Sequence, residues 1–244
     1  MPMPGYRTKQ ESVAVDGVAR LCIRSLSDAR QFADPDGAAQ RAGLSPATWP
    51  LFGLLWPSAV FLAARLAARP VRAGERILEI GCGLALASLV GHRRGADVTA
   101  SDCHPLAERF LQENLLLNGL FPMKYRHGRW GRPGASRPGR APDAVAPMAD
   151  VPDATCIVAG RYDLIIGSDV LYERDARGDL AEFIAGHALP RAQVWIVDPD
   201  RGNRAAFHRH MAARGYGRDE IALGRPALDG RPAYKGRLLI YGRR

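Results

Sequence analysis

Lysine is scarce in this chain, although its net charge is positive. The 244 residues include 34 lysines and arginines against 25 acidic residues, for a formal net charge of +9, yet lysine stands only at positions 9, 124 and 235. The arginines are scattered, and the densest basic run, residues 126–140, lies in a stretch rich in proline and glycine. We therefore expect a solvated connection there and predict no binding to nucleic acid.

Cysteine is sparse and long apolar runs are absent. The four cysteines, Cys22, Cys82, Cys103 and Cys156, form no C-x-x-C pair, which fits reduced thiols better than disulfides or zinc ligands. No run approaches the roughly 18 apolar residues of a membrane span. The first residues lack a charged segment followed by an apolar one, so we expect no signal peptide and a cytoplasmic protein.

The most informative stretch is residues 77–86, with the sequence ILEIGCGLAL. Apolar residues around one glutamate predict a buried parallel strand, and an apolar, helix-like stretch follows the two glycines. A strand, a glycine turn and a helix N-terminus present backbone N–H groups to a ligand that must approach closely. We therefore expect Gly81, Cys82 and Gly83 to contact a ligand.

Three interpretations fit this turn. A dinucleotide site is typical of G-x-G-x-x-G/A, but Leu86 stands at the sixth position here. In a site for S-adenosylmethionine (SAM), an acid two positions before the first glycine reaches the ligand, and Glu79 stands there. The third interpretation is a structural turn without a ligand. The position of Glu79 favours SAM.

A second acid follows the next predicted strand, residues 96–102. Asp102 comes 19 residues after Gly83, and an acid at about that distance accepts hydrogen bonds from both ribose hydroxyls. The alternative is a helix N-cap, which Pro105 supports. With the glycine turn already present, we favour ribose binding and assign the neighbouring Cys103 to the same site.

A third cluster ends the strand predicted in residues 162–173, with the sequence YDLIIGSDVLYE. In an open parallel sheet, ligands lie beyond the carboxyl ends of the strands, at the switch point between the first and fourth strands. We therefore expect Ser168, Asp169 and Tyr172 to face the ligand held by the glycine turn.

Residues 49–58 contain two tryptophans, each before a proline. Pro57 suits the first turn of a helix. One interpretation is an aromatic plug on the core. The other is a lid over the ligand pocket, in which Trp56 and Ser58 contact the substrate or cofactor.

The order of elements predicts an α/β fold. Five β–α units followed by two strands indicate a doubly wound, Rossmann-like, seven-stranded sheet, mostly parallel with an antiparallel C-terminal edge. An N-terminal β-hairpin is predicted around Asp16-Gly17, and residues 128–160 predict a long irregular loop. We divide the chain into an N-terminal extension, 1–48, and a main domain, 49–244.

Together these features resemble the seven-β-strand, SAM-dependent methyltransferases. The resemblance covers about residues 49–215, and the stretches that carry it are residues 77–86, Asp102, 114–119 and 168–173. Residues 55–58 (LWPS) and 169–172 (DVLY) narrow it to methyltransferase family 16, the non-histone protein-lysine methyltransferases. With residues 198–201 (DPDR), the chain is also similar to bacterial relatives that modify an electron-transfer flavoprotein subunit, or that are labelled nicotinamide N-methyltransferases.

The resemblance implies SAM as cofactor, no metal, and methyl transfer to an amine. Asp169 would orient the acceptor ammonium, with Tyr172 or Trp56 stabilising its charge by a cation–π contact. A protein lysine is the expected acceptor. The alternatives are a small, nicotinamide-like molecule and a SAM-binding module without activity. A methyltransferase acting on nucleic-acid amino groups would carry Asn/Asp-Pro-Pro-Tyr after the fourth strand, where this chain has Ser-Asp-Val-Leu.

Two positions depart from the family pattern. Ala85 stands where a third glycine is common, and we expect it to be tolerated as long as its φ stays negative. The adenine contact is expected near Trp130, which follows Arg129 where the family often has an acid.

Overall fold

The computed structural model describes residues 5–131, 156–227 and 233–243. Two strands near the N-terminus form a separate hairpin, β1 (Thr8–Val15) and β2 (Val18–Leu26). The strands of the main sheet are β3 (Arg76–Ile80), β4 (Asp97–Asp102), β5 (Lys124–His127), β6 (Tyr162–Ser168), β7 (Ala188–Asp198), β8 (Tyr216–Arg225) and β9 (Tyr234–Arg243). The helices are α1 (Ala38–Arg41), α2 (Pro57–Ala67), α3 (Leu86–Arg93), α4 (Ala107–Leu117), α5 (Asp179–His187) and α6 (Arg204–Ala212).

The main sheet has seven strands in the order β5-β4-β3-β6-β7-β9-β8. Strands β3 to β7 pair in parallel, and β9 pairs antiparallel with both β7 and β8. The predicted sheet, its antiparallel C-terminal edge and the N-terminal hairpin are thus confirmed. Strands β3 and β6 are neighbours, so the chain runs from β3 toward one edge before it crosses back to β6. Their carboxyl ends form the predicted switch point.

Helices cover both faces of the sheet because successive strand residues point to opposite sides. Ile77 on β3 belongs to the core beneath α2, α3 and α4, whereas Leu78 belongs to the core beneath α5 and α6. Leu164 and Ile165 alternate in the same way on β6. Because both strands are buried on two faces, their sequences are nearly continuous apolar runs.

The hairpin packs on the main domain through α4. Its two strands turn at Asp16 and Gly17, where Gly17 has a φ of +82°. The side chain of Asn114 accepts the Arg24 N–H at 2.7 Å, and that of Asn118 accepts the Cys22 N–H at 2.9 Å. Two asparagines one helical turn apart thereby satisfy the outer edge of β2.

Part of the predicted irregular loop lies outside the residues that the structure describes. Of residues 128–160, positions 132–155 are not described, and most of the basic run 126–140 lies among them. No helix in the described parts of the chain is long and apolar enough to cross a membrane.

Candidate functional site

The turn after β3 admits only glycine at two positions. Gly81 and Gly83 have φ values of +56° and +52°, in the left-handed region. A Cβ atom on Gly83 would lie 2.7 Å from the carbonyl oxygen of Phe52, and one on Gly81 would lie 2.8 Å from Cγ1 of Val170. The backbone of the turn is therefore held tightly between the segment before α2 and the end of β6.

Ala85 differs from the expectation. Its φ is +58°, not negative, so it adopts the conformation that a third glycine would take more readily. Its N–H donates to the carbonyl of Cys82 at 2.7 Å, and its own carbonyl accepts the Leu89 N–H at 2.9 Å. Ala85 is thus the residue that joins the turn to α3, and these two bonds hold it in the strained region.

A cavity of about 300 Å³ opens at the carboxyl ends of β3, β4 and β6. Every predicted site residue except Glu79 and Ser58 lines it, namely Trp56, Gly81, Cys82, Gly83, Asp102, Cys103, Trp130, Ser168, Asp169 and Tyr172. Its volume falls at the lower end of the range for small-molecule sites. The three segments singled out in the sequence therefore meet in one place.

Glu79 lies beneath the turn instead of in the cavity wall. It is fully buried, and its Oε2 accepts hydrogen bonds from the backbone N–H of Ser88, at 2.8 Å, and from the Ser88 hydroxyl. Burial raises the pKa of Glu79 to about 7, against the opposing effect of the two bonds from Ser88. The residue ties β3 to the first turn of α3. A direct contact between Glu79 and the ligand stays a prediction.

Asp102 holds the two loops that follow β3 and β4. Its Oδ2 accepts the Gly83 N–H and its Oδ1 accepts the His104 N–H, each at 2.8 Å, so it braces the glycine turn and the chain after β4. It is not the N-cap of α4, a position that Leu106 holds without a side-chain cap bond, and its contact with a ribose stays a prediction. It also lines the cavity. Burial raises its pKa, and hydrogen bonds from backbone N–H groups oppose that rise. Burial also raises the pKa of the neighbouring Cys103 thiol to about 12, which keeps it protonated at neutral pH.

Asp169 forms an ion pair that the sequence did not predict. It follows β6 with a φ of +56° and is 8% exposed. Its Oδ1 lies 2.9 Å from Nη2 of Arg201, while no described residue makes a hydrogen bond of normal geometry to its buried Oδ2. Burial raises the pKa of Asp169, and the Ser58 hydroxyl and the Arg201 guanidinium oppose the rise.

Two aromatic side chains flank this ion pair. The indole N–H of Trp56 donates to the carbonyl of Leu51 at 2.8 Å, which fixes its ring, and the Arg201 guanidinium lies 5.9 Å from the ring centroid. Tyr172 is 43% exposed, and burial of its hydroxyl group raises its pKa far above the ordinary value. Trp56, Tyr172 and Arg201 therefore form one end of the cavity wall around Asp169.

The two tryptophans of this segment lie in different places, and a contact of Trp56 with a ligand stays a prediction. Trp49 is a core residue, 1% exposed, whose ring packs edge-on against Phe52. Trp56 lines the cavity. Ser58 is buried, and its hydroxyl lies 2.9 Å from that of Tyr234.

Arg201, Phe52 and His104 also line the cavity, although none of them was predicted as a site residue. Arg201 belongs to the D-P-x-R stretch, and the pairing of β6 with β7 brings its loop beside Asp169. Phe52 and His104 stack with ring centroids 3.6 Å apart. The only sequence signal for His104 is its place two residues after Asp102.

The residues of the cavity suit a ligand of the SAM type. The glycine turn places the backbone of Gly81, Cys82 and Gly83 in the cavity wall, where its polar groups can meet a ligand. Asp102 supplies a carboxylate for hydroxyl groups, Trp130 and Phe52 supply flat apolar surfaces, and Cys82 and Leu84 are apolar. These residues match the mixed polar and aromatic character of a nucleoside joined to an amino acid.

Known proteins resemble this chain either over part of its sequence or in its fold. No protein family model matches the sequence. A stretch of 85 residues is 33% identical to the electron transfer flavoprotein beta subunit lysine methyltransferase of Danio rerio, covering 32% of this chain and 33% of that protein. The match thus spans about a third of the relative's length.

Two solved structures share the architecture. The T. thermophilus 16S rRNA N2 G1207 methyltransferase, in complex with AdoMet and guanosine, matches 100% of this chain and 52% of its own at 17% identity, with a TM-score of 0.56. A SAM-dependent methyltransferase from Agrobacterium tumefaciens matches 96% of this chain and 70% of its own at 14% identity, with a TM-score of 0.56. At such identities the likeness shows the fold.

Proposed function

We propose that this chain, which has the class I SAM-dependent methyltransferase fold, transfers a methyl group from SAM to the side-chain amine of a lysine in a protein substrate. One observation carries the proposal. A single cavity joins the glycine turn and Asp102, which suit a nucleoside, to Asp169 and Tyr172, which suit an ammonium group. A cofactor and an acceptor held there are close enough to react.

We assign SAM to the end of the cavity that the glycine turn and Asp102 form. SAM, when bound, supplies a methyl group on a positively charged sulfur. The N–H groups of the Gly81–Gly83 turn and the carboxylate of Asp102 would hold its polar groups, with Trp130 at the adenine and Ser168 and Trp56 nearer the methyl group. Holding two reactants in line and excluding water is the main contribution expected of the protein.

The acceptor end centres on the second oxygen of Asp169. Arg201 pairs with Oδ1 and favours the ionised carboxylate, and we assign the orientation of an ammonium group to Oδ2, which has no partner of normal geometry among the described residues. Tyr172 and Trp56 stabilise positive charge at the same place by cation–π contacts, worth about 0.5–2 kcal/mol. A lysine amine has an ordinary pKa of about 10.4, so the acceptor must release its proton to water before transfer.

Two independent observations support lysine as the acceptor. The DVLY stretch begins with the acid and ends with the aromatic residue that line the cavity, and the partial relative in Danio rerio is named as a lysine methyltransferase. The fold alone does not choose the acceptor, because the T. thermophilus structure holds guanosine. A small amine is the second candidate, since Asp169 is only 8% exposed and a compact acceptor reaches it more easily.

Label transfer tests the proposal. The purified protein is incubated with methyl-labelled SAM and an extract of cells that lack its gene, and the label is separated into protein, nucleic-acid and small-molecule fractions. The variant Asp169→Asn removes the acceptor carboxylate. Asp163→Asn is the matched control, because Asp163 lies at the opposite end of β6 and accepts the Arg76 N–H at 2.9 Å, a bond that asparagine retains.

We expect a discrete labelled protein with the wild type and with Asp163→Asn, and none with Asp169→Asn. The affinity of Asp169→Asn for SAM should stay within about threefold of the wild-type affinity. Label confined to small molecules would favour the second candidate. Label in nucleic acid would overturn both. No label in any fraction, although SAM binds, would indicate a binding module without activity.

A further inference from the structure

A buried histidine in the cavity wall has no part in the chemistry above. His104 lines the cavity and is 3% exposed. Its Nε2 is buried, and it has no hydrogen-bond partner within residues 5–131, 156–227 and 233–243. Buried polar atoms are nearly always satisfied, so an unsatisfied one in a cavity wall calls for an explanation.

The hydrogen bonds of His104 fix its tautomer. Its Nδ1 accepts the backbone N–H of Leu106 at 3.1 Å, so in the neutral ring the proton lies on Nε2. Burial lowers the pKa of His104 to about 3, against the opposing charge of Asp34, and the ring is therefore neutral at physiological pH. Nε2 is thus a hydrogen-bond donor with no acceptor supplied by the described protein.

The packing of the ring leaves it little freedom. It stacks on Phe52 with centroids 3.6 Å apart and meets the edge of Trp49 at 5.6 Å. The carboxylate of Asp34, the one charged group that shifts its pKa, is already committed to the N–H groups of Ala39 and Gln40, at 2.9 Å each. A partner for Nε2 is therefore expected from the ligand.

The position of His104 beside Asp102 indicates which ligand group fits. Asp102 is a carboxylate that accepts hydrogen bonds, and the backbone N–H of His104 donates to it at 2.8 Å. A hydroxyl group both donates and accepts, so it complements a cavity wall to which Asp102 contributes an acceptor and His104 a donor. An ammonium group would leave the donor unpaired, and an apolar group would leave both unpaired.

We propose that His104 donates a hydrogen bond from Nε2 to a ribose hydroxyl oxygen of the bound cofactor, while that hydroxyl donates to Asp102. The inference rests on the proposed function, because the ribose belongs to SAM. It assigns His104 as a binding residue that distinguishes ribose from deoxyribose. The reaction itself does not involve the ring.

Calorimetric titration tests this contact without any turnover. The ligands are S-adenosylhomocysteine and its 2′-deoxy and 3′-deoxy analogues. Two variants separate the functions of the ring. In His104→Asn, the side-chain oxygen lies near the position of Nδ1 and still accepts the N–H of Leu106, but no donor replaces Nε2. In His104→Gln, the side chain is longer than that of asparagine and places its amide N–H₂ near the position of Nε2.

We expect His104→Asn to lower the affinity for S-adenosylhomocysteine about five- to tenfold, the loss of one neutral hydrogen bond. His104→Gln stays within about threefold of the wild type. For one of the two deoxy analogues, wild type and His104→Asn bind equally, which identifies the hydroxyl. Thermal unfolding without ligand checks that both variants are folded.

Three results would overturn the inference. If His104→Asn binds S-adenosylhomocysteine as tightly as the wild type does, the ring is structural. If its loss is the same for both deoxy analogues, the contact is not to the ribose. If the folded wild type binds no S-adenosylhomocysteine, the proposed function fails first and the inference with it.

Discussion

Glu79 illustrates how a charged side chain serves the site without entering the cavity. Its carboxylate holds Ser88 of α3 and is fully buried, with a pKa raised to about 7 from the ordinary 4.5. A folded state that binds a proton more tightly than the unfolded state loses stability as the pH rises between the two pKa values. Here that interval runs from about 4.5 to about 7.

The first prediction concerns Glu79→Gln. The wild type should lose about 3 kcal/mol of unfolding free energy, relative to this variant, as the pH rises from 4.5 to 7. Urea unfolding of both proteins across that range measures the difference. A difference that does not change with pH would mean that Glu79 keeps its ordinary pKa in the folded protein.

Ala85 provides a second prediction at this scale. Its φ of +58° costs an L-residue about 1–2 kcal/mol, and glycine avoids that cost but gains entropy in the unfolded chain. Ala85→Gly should therefore stabilise the protein by about 0.5–1 kcal/mol. Gly95→Ala is the converse control, because Gly95 has a φ of +84° and open space where a Cβ would stand. It should destabilise by a similar amount, and a destabilising Ala85→Gly would contradict the assigned backbone conformation.

Arg201 should control the pH dependence of activity through Asp169. Its guanidinium holds the pKa of Asp169 down against the effect of burial, and the ammonium site needs the ionised carboxylate. Activity should therefore fall as the pH drops through that pKa, and Arg201→Gln should move the fall to higher pH. The rate of label transfer measured from pH 5 to 9 tests this. An unmoved acid limb would exclude Asp169 as the group that titrates there.

The sequence predicted which residues meet but not what each one touches. Of the ten predicted site residues that line the cavity, nine lie at or after the end of a strand whose place in the sheet is set by topology, and the tenth, Trp56, directly precedes α2. The contact of Glu79 with Ser88, the ion pair of Arg201 and the stacking of His104 depend on side-chain packing between distant segments. No local pattern encodes them.

At the scale of elements, α4 stabilises the edge of the hairpin. Asn114 is fully buried, and its side chain accepts the Arg24 N–H and donates to the Arg24 carbonyl. Asn114→Ala would leave this backbone pair unsatisfied, at a cost of about 1–3 kcal/mol. Gln112→Ala, an amide change on the exposed face of the same helix, should stay within about 0.5 kcal/mol. Chemical unfolding distinguishes them, and equal effects would show that the Asn114 bonds contribute little.

Strands with apolar patterns were the elements that the sequence predicted well. Strand β6 has a nearly continuous apolar run because it is buried on both faces, and its first residue was predicted, although the strand ends at Ser168 and not at Glu173. Strand β5, with the sequence KYRH, was not predicted, because a short strand at the sheet edge needs no apolar run. The short helix α1 was likewise unmarked, since its four residues bury only Ala39.

At the scale of the whole molecule, the N-terminal extension contributes to both the core and the cavity. Hairpin residues such as Leu21 and Ile23 are fully buried in the same core as Leu62 and Leu86 of the main domain. Leu44 and Thr48, also in residues 1–48, line the cavity. The boundary between 48 and 49 stays a prediction, but the two parts share their apolar interior.

We therefore expect residues 49–244 expressed alone to lack a cooperative thermal transition, because much of one core face would be exposed to water. Ile23→Ala in the full chain is a milder test of the same contact and should cost about 2–5 kcal/mol. Scanning calorimetry measures both. A shortened chain that unfolds cooperatively near the wild-type midpoint would establish the extension as a separate unit.

The identity of the methylated group tests the central claim most directly. The protein labelled by the wild type in the extract is isolated, digested and sequenced by tandem mass spectrometry. We predict methyl groups on the side-chain nitrogen of lysine, absent when Asp169→Asn replaces the wild type and present with Asp163→Asn. Label on any other residue type, or the same labelled lysine with Asp169→Asn, would contradict the role assigned to Asp169 and its aromatic neighbours.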